Sequence, residues 1–245
     1  MLMNAMLAVA TATALVGGGY LAVDAAQTAD AALRSMPVSY LSDHANIAPR
    51  RVVIAIDLSR SNPLIDSPDF AQKVADRVGD EIRGLGFASE VHVRTFGSYD
   101  ASSNNFHYDV QISVRNRPEQ VAADVERLIA GTPTLVRQGK WKAQGNTNIL
   151  AFLDNVSNAI GCSGLPTTII LASDGVEDSE YVRLGRANAH LPSPDGRPFA
   201  GCSDLQILGL GEGDKSPSET VRLRGEWNRW AHEAGFRRFQ GLNDW

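Results

Sequence analysis

The stretch "VVIAIDLSRS", residues 52–61, runs five apolar residues straight into Asp57 and then places Ser59 and Ser61 two apart. A continuous apolar run that ends in a polar turn is the pattern of a central parallel strand covered on both faces. The acid and the two hydroxyls therefore fall at the carboxyl end of that strand, where open α/β sheets bind their ligands. Alternate residues of an extended turn face the same way, so Asp57, Ser59 and Ser61 are placed to converge on one point.

Outward from this strand, helices and further strands alternate. Pro68 and Asp69 open a helix whose apolar positions Phe70, Val74, Val78, Ile82 and Leu85 repeat at helical spacing. "EVHVRTFG", residues 90–97, is a second strand, and "FHYDVQISVR", residues 106–115, alternates apolar and polar as a half-exposed edge strand does. The polar loop between them makes the pair a hairpin. Helices follow from Pro118 to Ile129 and over "TNILAFLDNVSNAI", residues 147–160. "TTIILAS", residues 167–173, is a second continuous apolar strand that ends at Asp174-Gly175. A helix is expected near 179–190, then a strand at "LQILGLG", a helix over about 217–234 and a last strand at "FRRFQGL". This order implies an α/β fold, a doubly wound, mostly parallel sheet with one antiparallel edge strand between helical layers.

The chain divides into three parts on this reading: residues 1–26, 27–49 and 50–245. "AMLAVATATALVGGGYLAV", residues 5–23, carries no charge and is long enough to span a bilayer core, so it reads as a membrane anchor, with a cleaved export signal as the alternative. The Ala-rich and then polar segment to residue 49 reads as a stalk, and the domain beyond it is expected outside the cytoplasm, at the envelope or cell surface or secreted. Net charge is −5 with both signs interspersed, which gives nucleic acid no electrostatic footprint and leaves the membrane only the N-terminal segment. Cys162 and Cys202 make an even pair in a chain that reads as exported, where disulfides persist. Each precedes one of two consecutive parallel strands, so pairing of those strands would bring them within reach of a bridge; two buried free thiols are the other reading.

Asp174 follows the other continuous strand, and if the two strands are neighbours its carboxylate meets that of Asp57 in the crevice where strand order reverses. Thr147, in the loop after "QGN", enters beside them. Two carboxylates and three hydroxyls are a hard, all-oxygen set that suits Mg²⁺ or Mn²⁺, and the lack of His or Cys argues against zinc.

The three pieces Asp57-Leu58-Ser59-Arg60-Ser61, Gly145-Asn146-Thr147-Asn148 and Ser173-Asp174-Gly175 resemble the von Willebrand factor A domain, in which such residues form the metal-ion-dependent adhesion site. The resemblance covers about residues 50–243 and matches all five ligand positions in order. It implies that Ser59 and Ser61 hold the metal directly, that Thr147, Asp57 and Asp174 act directly or through water, and that a carboxylate from a partner protein completes the shell. It implies metal-dependent protein binding, in adhesion or assembly, and no enzymatic reaction. Glu177 and Asp178 are extra acids in this chain, read as the start of the expected helix.

Two enzyme classes fit these residues poorly. A Mg²⁺-dependent phosphatase of the haloacid-dehalogenase type needs a second acid where this chain has Ser59, and a serine hydrolase needs a glycine-flanked elbow that Ser59 and Ser61 lack. A metal-independent structural module of an envelope or pilus assembly is the remaining alternative. The surface expected to choose the partner comprises Arg60, the hairpin tip with Asn104 and Asn105, and the basic loop that carries Trp141. Trp141 as mere cover for the core is the competing reading.

Overall fold

In the computed structural model, which describes residues 44–97, 106–213 and 215–245, β1 (Arg51–Asp57) is buried along nearly its whole length. Its side chains alternate between two cores. Val52, Ile54 and Ile56 belong to one and Val53 and Ala55 to the other, so the run that contains them has no polar face because neither face meets water. The first core lies under α1 (Pro68–Arg83) and α2 (Pro118–Ala130), the second under α4 (Ile149–Ala159) and α5 (Pro217–Ala234). The expected three layers are thus present. From Ile47 to Trp245 they form one compact unit.

The sheet has six strands: β1, β2 (Glu90–Phe96), β3 (His107–Gln111), β4 (Thr167–Ala172), β5 (Asp204–Leu208) and β6 (Arg238–Leu242), in the spatial order β3-β2-β1-β4-β5-β6. All pairs are parallel except β2–β3, the antiparallel edge. Strand order reverses between β1 and β4, which are hydrogen-bonded neighbours with Ile56 opposite Ala172. That register sets Asp57 and the Ser173-Asp174 turn side by side.

Helix ends are fixed by local chemistry. Ser67 caps α1 before Pro68, and Ser216 with Glu219 forms a capping box before Pro217 in α5, which stops at Gly235 in the left-handed region. Cys162 and Cys202 are joined in a disulfide with Cα atoms 5.0 Å apart, because β4 and β5 pair directly. The bridge lies at the end of the sheet opposite Asp174.

Three expectations are corrected. The helix expected near 179–190 does not form; the segment is a chain of turns. Its backbone groups find tertiary partners instead. Arg222 donates to the carbonyls of Leu184 and Ala189, Arg229 donates to that of Leu191, and Glu226 accepts from the Leu191 amide. The edge strand stops at Gln111, because the Ser113 hydroxyl accepts from the amides of Arg115 and Asn116 and turns the chain. A short helix, α3 (Thr132–Arg137), occupies part of what reads as loop. No described helix is long and apolar enough to cross a membrane. Residues 1–26 and most of 27–49 lie outside the described residues, as do Asn104 and Asn105.

Candidate metal centre

Asp57 is fully buried at the end of β1, and both its oxygens are engaged. Oδ1 accepts the Ser59 amide at 2.8 Å, and Oδ2 accepts the Ser173 hydroxyl at 2.6 Å. The first bond folds the chain after β1 back on itself and brings the Ser59 and Ser61 hydroxyls to 3.4 Å from one another. Asn62, also buried, staples the crevice from below: its Nδ2 donates to the Asp57 carbonyl at 2.8 Å and to the Ala172 carbonyl at 3.0 Å.

Asp174 is fully buried across the crevice. Its Oδ1 accepts the Val176 amide at 3.0 Å, while Oδ2 has no hydrogen-bond partner. The turn it stands on requires Gly175, whose φ is 73° and whose added Cβ would lie 2.4 Å from Leu210 Cδ1. Trp227 of α5 donates to the Gly175 carbonyl at 2.7 Å and locks that turn onto the second core.

Thr147 arrives on a loop held from both sides by isolated bridges. Gln144 pairs with Ser59, and Thr147 exchanges backbone bonds with Asp178 at 3.1 and 2.9 Å. Gly97 lets the loop approach β2, since a Cβ there would meet Gln144 Cγ at 2.4 Å. Asp178 pairs in turn with Arg183, closing a narrow hairpin with Glu180 and Tyr181 at its tip. Ser59, Ser61 and Thr147 line one cleft of about 410 Å³, and Asp57 and Asp174 lie at the ends of the strands beneath it.

Burial raises the Asp57 carboxyl to about 7, the nearby Asp174 carboxylate adds to the rise, and the bonds from Ser173 and Ser59 oppose it. Burial raises Asp174 as well, against the Val176 amide, the Lys215 ammonium and the Ser61 hydroxyl, which lies nearby without a well-formed hydrogen bond to it. Two carboxylates held above their ordinary range, Asp57 by burial and its neighbour's charge and Asp174 by burial, the latter with a bare oxygen, make a site short of positive charge. No group of three or more His, Cys, Asp or Glu side chains arranged for a metal occurs among the described residues. The donor set here is two carboxylates with three hydroxyls, which fits a hard divalent ion.

Glu177 has a role that sequence reading assigned differently. It starts no helix of its own. Its buried Oε2 accepts the amides of Ile149 and Leu150 at 2.7 and 3.1 Å, capping α4, the helix that begins just after Thr147. Burial pushes its carboxyl up to about 7 against the pull of Ser179 and those two amides. Asn62 and Ser173 were missed because their bonds join segments about 110 residues apart in the chain. The one available signal is the place of Ser173 directly before Asp174. Of the expected partner surface, Arg60 is exposed at the cleft, whereas Trp141 is half-buried with its ring 5.9 Å from that of Phe106. His92 is paired with Asp109 at 2.6 Å.

No family model matches the chain, and no curated protein matches it in sequence. Among solved structures it is similar to the pilus adhesin SpaC from Lactobacillus rhamnosus GG in its open conformation, with 14% identity and a TM-score of 0.44 over 81% of this chain. The match takes in 28% of that adhesin's length.

Proposed function

We propose that this domain binds a partner protein through a divalent metal, Mg²⁺ or Mn²⁺, held by Asp57, Ser59, Ser61, Thr147 and Asp174, with a partner carboxylate completing the shell. The observation that carries the reading is Asp174 Oδ2, a buried carboxylate oxygen without a partner beside a second buried carboxylate and three hydroxyl residues. The metal would supply the missing charge and a coordination position for an anionic ligand. The chain's own part is to hold the hydroxyls in place through the Asp57–Ser59 turn, the Asn62 staple and the Glu177 cap. The reading is of adhesion or assembly and not of catalysis: Ser59 and Ser61 contact one another, and no described histidine is bonded to either. It places the domain outside the cytoplasm, exported or membrane-tethered, in keeping with the Cys162–Cys202 bridge.

A second reading, a metal-independent module of an envelope or pilus assembly, is favoured by one observation. Both Asp57 oxygens are already satisfied by protein donors, so that side chain is held in place without an ion. Isothermal titration of the chain with Mg²⁺ and with Mn²⁺ separates the two. Saturable one-to-one binding that Asp57→Ala abolishes is expected. Absence of binding with either ion, at a pH where Asp57 is ionised, would favour the second reading.

A further inference from the structure

The cleft over the three hydroxyl residues is rimmed by more than the metal set. Arg60, Arg183 and Arg186 line it with a single acid, Asp178. Asp178 already faces Arg183 at 3.5 Å, which leaves Arg60 and Arg186, both exposed, without a side-chain hydrogen bond or ion pair among the described residues. A second cleft of about 700 Å³ continues along residues 179–189 and shares Arg183 and Arg186, so the two make one elongated groove. Its acid, Glu180, is engaged with the Asn148 amide at 3.3 Å. Exposed guanidinium groups left unpaired along a groove are side chains that bind carboxylates at protein interfaces.

We propose that this groove takes an extended acidic segment of a partner protein, with one carboxylate at the metal position and neighbouring carboxylates on Arg60 and Arg186. This rests on the metal-site reading above and adds to it where selectivity lies: on Arg60 and the 176–191 segment, and not on the Trp141 loop, whose aromatic is spent against Phe106. Charge complementarity decides the occupant, because the metal's charge answers Asp57 and Asp174 and leaves the two free arginines as the groove's surplus.

The test uses the full chain and two fluorescein-labelled peptides of equal length, one with glutamates at alternate positions and one that keeps a single glutamate and has glutamine at the others. Fluorescence anisotropy in magnesium chloride should show the acidic peptide binding roughly tenfold tighter, from two charge pairs beside the metal. In the double variant Arg60→Gln, Arg186→Gln that ratio should fall to about one, while saturable Mg²⁺ binding persists. A wild-type ratio near one, a ratio the double variant leaves unchanged, or no binding of the acidic peptide overturns the proposal, even if Mg²⁺ titration succeeds. Acidic-peptide binding that needs the arginines but survives both chelation and Asp57→Ala supports the groove and removes the metal reading. Equal, magnesium-independent binding of a single-stranded oligonucleotide overturns the acidic-segment proposal in favour of a general polyanion surface.

Discussion

Asn62 shows how much of the site depends on a residue that never faces the ligand. One amide group holds the last carbonyl of β1 and that of β4, the two strands whose acids form the site. Its Oδ1 also caps the short 3-10 turn Pro63–Ile65 that follows. Asn62→Ala removes donors from two buried carbonyls and is expected to cost about 1–3 kcal/mol of stability, measured by urea unfolding. Metal affinity should fall as well, since the turn carrying Ser59 and Ser61 loses its anchor. An unchanged unfolding midpoint would show that water replaces the amide. Nothing in the local sequence marks Asn62 as special; an Asn beside a Pro reads as a turn residue. The five matched positions were legible because each sits at a strand end or a loop whose place the apolar runs define.

At the scale of elements, the segments with a clear period were legible and the segment without one was not. β1 and β4 announce themselves as unbroken apolar runs, and α1 and α5 by spacing and caps. Residues 179–190 have an intermittent apolar pattern that fits a helix, yet the Arg222, Glu226 and Arg229 side chains of α5 take its backbone groups, a tertiary effect no local window contains. Glu177 belongs to the same lesson, for it serves the start of α4 from 28 residues away. Glu177→Ala should leave the Ile149 and Leu150 amides without their acceptor, while Asn148 still caps the Ala151 amide, and destabilise the domain by about 1–2 kcal/mol, with weaker metal binding because Thr147 lies two residues before the helix. Glu177→Gln keeps an acceptor for the two amides and should be far milder. Chemical denaturation of both variants checks this; equal losses would mean that charge, and not the hydrogen bonds, secures the helix.

Across the whole molecule, the raised carboxyls make stability depend on pH in a defined direction. Asp57 and Glu177 both stand near 7 in the fold against ordinary carboxylate values when unfolded. Between those limits the native state holds protons that the unfolded chain has released. The stabilisation is therefore complete below the ordinary range and is lost as pH rises through about 7. Metal-free protein should melt at a lower temperature at about pH 8 than at about pH 5, and Mg²⁺ should recover more of the difference at the higher pH, where it replaces the missing protons. Calorimetry with and without chelator measures both; a flat profile would mean that these carboxyls are hydrated in solution. The central place of β1 has a mechanical consequence. A load applied between a ligand at Asp57 and the residues before Arg51 would run along that strand, between parallel neighbours on both sides. Pulled in that direction, the hydrogen bonds to β2 and β4 bear the force together in shear and do not open one after another, so the domain would resist tension most strongly along the axis of β1.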